Sequence, residues 1–134
     1  MSKNILITGS KGFIGKNLIN YFKYNFKDFN LILPSHNDNI KEFKSKLLNC
    51  DFIIHLSGVN RPKDINEFNN GNYLYTNKIC EILINNNKNI PIIFTSTIHI
   101  GKQYPTKIHA AYSKSKLRSE ICLKSYAKKM NTCV

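Results

Sequence analysis

The stretch NILITGSKGFIGKNL, residues 4–18, constrains the chain more than any other part of it. A short apolar run meets three glycines, and helix-like spacing follows at once. A bare glycine pattern says little; a strand before it and a helix after it give it meaning. In that setting Gly9 lets the backbone turn sharply off the strand. Gly12 carries no side chain, so a pyrophosphate can approach the main chain. Gly15 lets the helix pack closely on the sheet. The helix N-terminus then offers free N–H groups and the positive end of its dipole to phosphates. The competing reading is a plain tight turn or helix cap, which does not need three glycines spaced by three.

The rest of the chain sets the frame for that turn. Residues 4–8 read as a buried strand and 13–24 as a helix with apolar positions at Phe13, Ile14, Leu18, Ile19, Tyr21 and Phe22. Residues 31–33 read as a second strand, closed by Pro34 and Ser35. Helix spacing returns over 39–48, a third strand (DFIIHL) over 51–56 and helix spacing again over 64–85. The Asn-Asn-Gly-Asn stretch at 69–72 is expected to interrupt that helix. A fourth strand (IPIIFTS) covers 90–96, a loop 101–110 and a last helix 111–130. Apolar strands alternating with helices predict an α/β fold, a Rossmann-like doubly wound parallel sheet, incomplete at four to five strands. No repeat, linker or low-complexity tract divides it, so residues 1–134 are expected to form one α/β domain.

Composition excludes several function classes. A net charge of +12 would suit a nucleic-acid partner, yet the basic residues are 18 Lys and only 2 Arg, beside 19 Asn and 19 Ile. That joint excess is what an AT-rich coding sequence imposes, and bidentate reading of phosphate or guanine favours Arg over Lys. The expectation is a solvated basic surface and no nucleic-acid partner. Cys50, Cys80, Cys122 and Cys133 form no C-x-x-C pair and read as reduced thiols packed like small apolar groups. His36, His99 and His109 share no metal spacing, and His55, in mid-strand, reads as a core histidine, so no metal is expected. No apolar run approaches a membrane span and no signal peptide is visible, which predicts no membrane contact and a cytoplasmic protein.

One pair carries acid–base chemistry. Tyr112 and Lys116 lie four apart in a predicted helix, on one face and one turn apart. A free phenol, with a pKa of about 10, is a poor catalyst at neutral pH. A neighbouring ammonium favours the phenolate and lowers that value. The pair is then poised to pass a proton to or from a carbonyl or alcohol oxygen while hydride moves. Cofactor choice is also readable. NAD binding places an acid on the ribose 2′-hydroxyl about twenty residues beyond the glycines. Residues 33–37 (LPSHN) contain none, although Asp38 stands just past them, and Lys11 offers charge for a 2′-phosphate. NADP(H) is therefore preferred, with NAD(H) left open.

The spacing G-x-x-G-x-x-G resembles that of the extended short-chain dehydrogenase/reductases, the nucleotide-sugar epimerases, dehydratases and reductases. CDFIIHLSG (50–58) is similar to that family's D-x-V-x-H-L-A strand, AYSKSK (111–116) supplies its Y-x-x-x-K, and FTST (94–97) stands where it keeps a catalytic Ser or Thr. Residues 50–72 resemble more narrowly the reductase domain of the CapF-type enzymes of bacterial capsular polysaccharide synthesis. Those enzymes carry a reductase domain followed by a cupin domain. The resemblance implies NADPH-dependent reduction of a 4-keto, 6-deoxy UDP-amino sugar. It implies Tyr112 and Lys116 as catalytic residues, with Lys116 also bonding the nicotinamide ribose. Thr97 is the first choice for the hydroxyl that holds the substrate oxygen, and Ser96 the second. Asn72 matches an Asn that orders the active site, or simply caps a helix. Cofactor contacts are implied for Gly9, Lys11, Gly12, Phe13, Ile14 and Gly15 in the turn. Others are implied for His36, for Leu56, Ser57 and Gly58 after the third strand, and for Asn72, Tyr112 and Lys116.

The resemblance covers only the first part of that reductase domain. The substrate-binding half and any cupin are therefore expected to lie elsewhere, on a separate chain or in a split gene, with a homodimer as another arrangement. The loop after Thr97 lacks the Tyr-Gly that often follows in the family. The alternative function is a dinucleotide-binding module without turnover.

Overall fold

A computed structural model describes residues 2–134. The first strand, β1 (Lys3–Thr8), leads through the glycine turn into α1 (Phe13–Asn25) and then β2 (Phe29–Ile32). Next come α2 (Ile40–Leu48) and β3 (Phe52–His55). A short α3 (Asn66–Phe68) runs through a π-helical turn (Asn69–Leu74) into α4 (Tyr75–Asn85), followed by β4 (Ile92–Phe94) and α5 (Lys107–Met130). The four strands are parallel, in the order β2-β1-β3-β4. The fold is the expected α/β sheet with flanking helices.

Strand alternation explains why both faces are covered. Along β1, Ile5 and Ile7 point to one side and Leu6 to the other, and Ile53 and Ile54 divide in the same way on β3. The larger core joins Leu6 and Ile53 to Phe43 and Leu47 of α2, Ile79 and Leu83 of α4, and Leu123 and Tyr126 of α5. The smaller one sets Ile19 of α1 against Ile5, Ile7 and Ile54. α1 does not reach β4, where Ile93 is 53% exposed. The backbone N–H of Ile92 donates to the Cys133 carbonyl at 3.1 Å, so the segment after α5 runs back to β4.

Helix ends differ from the sequence expectation in two places. The last helix begins at Lys107, not 111, because Thr106 caps it: its hydroxyl accepts the His109 N–H at 3.3 Å. Residues 69–72 do not break the middle helix; the chain widens into the π turn and continues. Asn39 opens α2 with a capping box, its side chain accepting the Lys41 and Glu42 amides while Glu42 accepts from the Asn39 N–H at 3.0 Å. All four cysteines are free thiols. No helix among the described residues is long and apolar enough to cross a membrane.

Candidate active site

β1 has β2 on one side and β3 on the other, so consecutive connections leave it in opposite directions. The crevice beyond the C-terminal ends of β1 and β3 is where open α/β sheets take ligands. A cleft of about 540 Å³ lies there, bounded by the glycine turn, by Pro34 to His36 after β2, by Leu56 to Val59 after β3, and by Asn70, Gly71 and Tyr75.

The three glycines of the turn have three different causes. Gly9 sits at φ +70°, and a Cβ there would lie 2.8 Å from the Ser57 nitrogen and 2.9 Å from the Leu56 carbonyl carbon. Both backbone conformation and packing require glycine. Gly15 is buried at the first turn of α1, where a Cβ would run into the Gly9 carbonyl oxygen and reach within 2.9 Å of Ser10 Cα. Gly12 is different. It is exposed, with ordinary φ −74° and ψ 169°, and a Cβ would meet only the Gly9 carbonyl oxygen, at 3.2 Å. No backbone strain demands glycine there, and the one close approach asks the Gly9 carbonyl to give by only a few tenths of an ångström. What its bare backbone does is leave the start of α1 open to the cleft: that helix has no side-chain cap and no acid in its first turn. Such an opening offers free N–H groups and the positive end of the helix dipole to an anion. Lys11 lines the same cleft.

A polar wall faces the turn. Gly58 packs against two side chains: a Cβ on it would stand 3.0 Å from Asn72 Oδ1 and 3.3 Å from Lys116 Nζ. Asn72 lies within the π turn and caps no helix. Its Oδ1 accepts the Val59 N–H at 2.7 Å, and its Nδ2 donates to the Val59 carbonyl at 3.1 Å and to Ser115 Oγ at 2.9 Å. Lys116, on α5, is 4% exposed, donates to the Thr95 carbonyl at 2.8 Å and stands 4.6 Å from the centre of the Phe94 ring. Burial pushes its pKa down to about 8. Lys116 thus sets a buried amine directly behind Gly58, a lining residue of the cleft, and one helical turn from Tyr112.

Of the remaining candidates, His36 lines the cleft, whereas Tyr112, Ser96 and Thr97 are not among its lining residues. Tyr112 is half-buried, its ring 5.5 Å from that of Phe68. Ser96 is exposed, and its hydroxyl binds the Glu120 carboxylate. Thr97 is half-buried; its Oγ1 accepts the His99 N–H at 3.3 Å and keeps its own proton free to donate. Phe13 and Ile14 are 85% and 60% exposed and are not among the cleft's lining residues. Asp38 does not stand free: it pairs with Lys46 Nζ at 2.6 Å and accepts the Ser35 N–H at 3.0 Å, which holds its carboxyl below the usual range. Among the described residues no three His, Cys, Asp or Glu side chains gather as metal ligands would.

Residues 5–134 match the model of the NAD dependent epimerase/dehydratase family. The chain belongs to that family. A curated relative, UDP-2-acetamido-2,6-beta-L-arabino-hexul-4-ose reductase of Pseudomonas aeruginosa, is 33% identical over 109 residues, which are 80% of this chain and 29% of the relative. The capsular polysaccharide assembling protein CapF of Staphylococcus aureus superposes with a TM-score of 0.76 at 37% identity, covering 98% of this chain and 34% of that one. UDP-glucuronic acid 4-epimerase of Bacillus cereus, in complex with NAD, gives 0.78 at 20% identity, covering 98% and 54%. That last likeness speaks for the fold alone. The chain spans about a third of the length of the CapF and reductase relatives.

Three contributors to the wall carry no signal of their own in the sequence. Val59, Ser115 and the Thr95 carbonyl all act through contacts between distant segments. Ser115 lies 43 residues from its Asn72 partner. Only the sequence proximity of Ser115 to Tyr112 and Lys116 pointed toward it.

Proposed function

We propose that this chain is the cofactor-binding and proton-transfer part of an NADPH-dependent nucleotide-sugar reductase. Its substrate would be a 4-keto UDP-deoxy-amino sugar of surface polysaccharide synthesis. The observation that carries the proposal is the packing at Gly58: this residue lines the same cleft as the glycine turn, and the buried amine of Lys116 lies directly behind it. Gly9, Lys11, Gly12 and the first amides of α1 would hold the diphosphate, while Ser57, Gly58 and Lys116 would face the ribose and nicotinamide. NADPH, when bound, supplies the hydride that adds to the keto carbon. The Tyr112 hydroxyl donates the proton that the developing alkoxide oxygen takes up, so carbonyl becomes alcohol. The Lys116 charge stabilises the phenolate left behind. Thr97, with an uncommitted hydroxyl proton, is better placed than Ser96 to hold the same oxygen. The pairing of Asp38 with Lys46, together with Lys11 on the cleft, favours a 2′-phosphate over a free hydroxyl.

The test is calorimetric titration with NADPH and NADH, then turnover of a 4-keto UDP-sugar with and without the remaining reductase segment of a CapF relative supplied in trans. NADPH should bind the tighter. Turnover should need the added segment, because the substrate must be held about 3–3.5 Å from the nicotinamide in a site that sheds water. Tyr112→Phe should then abolish it. Absence of NADPH binding would refute the proposal. Binding with no turnover in either arrangement would reduce it to a dinucleotide-binding module.

A further inference from the structure

Behind the cleft wall lies a chain of hydrogen bonds whose direction can be worked out atom by atom. Thr8 ends β1 and His55 ends β3, opposite each other in register. The His55 ring is 1% exposed. Tyr75 of α4 and Phe94 of β4 flank it, with ring centres 5.7 and 5.4 Å away. Lys116 of α5 is the charged group that acts on it. Its Nδ1 lies 2.7 Å from Thr8 Oγ1 and its Nε2 lies 2.9 Å from Thr76 Oγ1.

Each threonine hydroxyl has one proton, and a fixed main-chain partner settles where it goes. Thr76 donates to the Asn72 carbonyl at 2.7 Å, and a carbonyl can only accept. Thr76 Oγ1 must therefore accept from the ring, so Nε2 carries the hydrogen. At the other end Thr8 Oγ1 accepts the Ser57 N–H at 3.1 Å, leaving its own proton for Nδ1. The opposite tautomer would set two lone pairs face to face at Thr76 and strand the Thr8 proton in a buried site. The orientation of the whole line is thus unique: Ser57 to Thr8, Thr8 to His55, His55 to Thr76, Thr76 to Asn72.

We infer that His55, with its proton on Nε2, is a positioning residue that ties the π-helical turn to the strand carrying the glycine turn. By this tie Asn72 is aimed at Val59 and Ser115. Asn72 fixes the Val59 amide in the cleft wall and Ser115 on α5, beside Lys116. The role in cofactor binding rests on the function proposed above; the tautomer and the tie do not.

Nitrogen-correlated NMR of the His55 ring in the intact protein should show hydrogen on Nε2 only, a bare Nδ1, and no titration between about pH 8 and 5. Hydrogen on Nδ1, or a charge change in that range, would overturn the inference. Amide exchange at Val59 tests the tie. Thr76→Val removes both the acceptor for Nε2–H and the donor to Asn72; Thr76→Ser keeps them. Val59 should exchange about tenfold faster in Thr76→Val and near the wild-type rate in Thr76→Ser, with Ile5 to Ile7 of β1 unchanged in both. Equal protection of Val59 in both variants would sink the idea. NADPH affinity should follow the same pattern, falling in Thr76→Val and recovering in Thr76→Ser. Affinity unchanged while Val59 loosens would remove the role in cofactor binding. Failure of the wild type itself to bind NADPH would count against the proposed function, while the ring tautomer and Val59 exchange would still decide the tie.

Discussion

At the scale of single residues, the three glycines of the turn separate folding from binding. Gly9 and Gly15 are needed by the fold: one has a left-handed backbone, and both leave no room for a Cβ. Substituting either should cost stability on the scale of core overpacking, about 1–3 kcal/mol or more. Gly12 is exposed at an ordinary backbone conformation, and its one close approach is to the Gly9 carbonyl oxygen at 3.2 Å, so Gly12→Val bears mainly on the ligand. On the proposed binding mode its isopropyl group would fill the place of the diphosphate, while loss of glycine at the helix N-cap costs up to about 1 kcal/mol of stability. Loss of NADPH binding in a variant that still melts cooperatively is the expected result; retained affinity would show that the phosphates lie elsewhere. Lys11 tests cofactor choice in the same way. Lys11→Ala should reduce the preference for NADPH over NADH by roughly tenfold or more, the scale of one charge-assisted contact. Paired titrations measure it, and an unchanged ratio would move the 2′-phosphate away from Lys11.

At the scale of elements, α5 carries both the proposed chemistry and a strained charge. Among the described residues the buried ammonium of Lys116 has no carboxylate partner; it meets the Thr95 carbonyl and the Phe94 ring. Burial lowers its pKa from 10.5 to about 8. The unfolded chain therefore binds this proton over a pH range in which the folded chain does not. Stability rises as pH climbs from about 8 to 10.5, and below 8 the full penalty is present. Lys116→Met should remove that penalty. At pH 7 it should stabilise the protein by about 1–2 kcal/mol, the shift's worth less the lost bond to Thr95. The gain should shrink toward zero near pH 10, and denaturant melts at the two pH values would show it. A destabilised Lys116→Met at pH 7 would mean that the bond to Thr95 and the ring outweigh desolvation.

The same helix shows what sequence could and could not reveal. The Tyr112–Lys116 spacing was readable because it depends only on helix geometry, and the glycine turn because each glycine acts on its immediate surroundings. The helix starts four residues before the spacing predicts, because Thr106 follows Pro105 in a stretch that reads as loop. The π turn reads as an interruption because a wider turn shifts the apolar rhythm just as a break does. Gly71 makes it workable: a Cβ there would run into the Val59 side chain. Asn72 could be singled out, yet its choice between capping and bridging depended on Val59 and Ser115, which only the folded chain brings to it.

At the scale of the whole molecule, the line from Ser57 to Asn72 couples stability to pH. Burial, and then the Lys116 charge, lowers the His55 pKa from 6.5 to about 3. The unfolded chain takes up a proton on this imidazole as pH falls through 6.5, whereas the folded chain refuses it until about pH 3. With more protons bound in the unfolded state, stability must fall as pH drops through that window, by up to about 1.4 kcal/mol per pH unit. Between pH 7 and pH 5 the expected loss is about 2 kcal/mol. Asp38 adds nothing there, since its depressed pKa places its own loss below 3.8. The net charge of +12 also destabilises the compact state, more so as carboxylates protonate, but salt screens that repulsion and does not reach a buried ring. Urea melts in about 0.5 M salt therefore separate the two causes, because the Debye length there is only a few ångströms. The drop between pH 7 and pH 5 should persist in salt and flatten in His55→Gln, which cannot titrate. Equal wild-type stability at the two pH values would mean that the folded protein accepts the proton after all, and the ring would then lack the fixed orientation its neighbours impose.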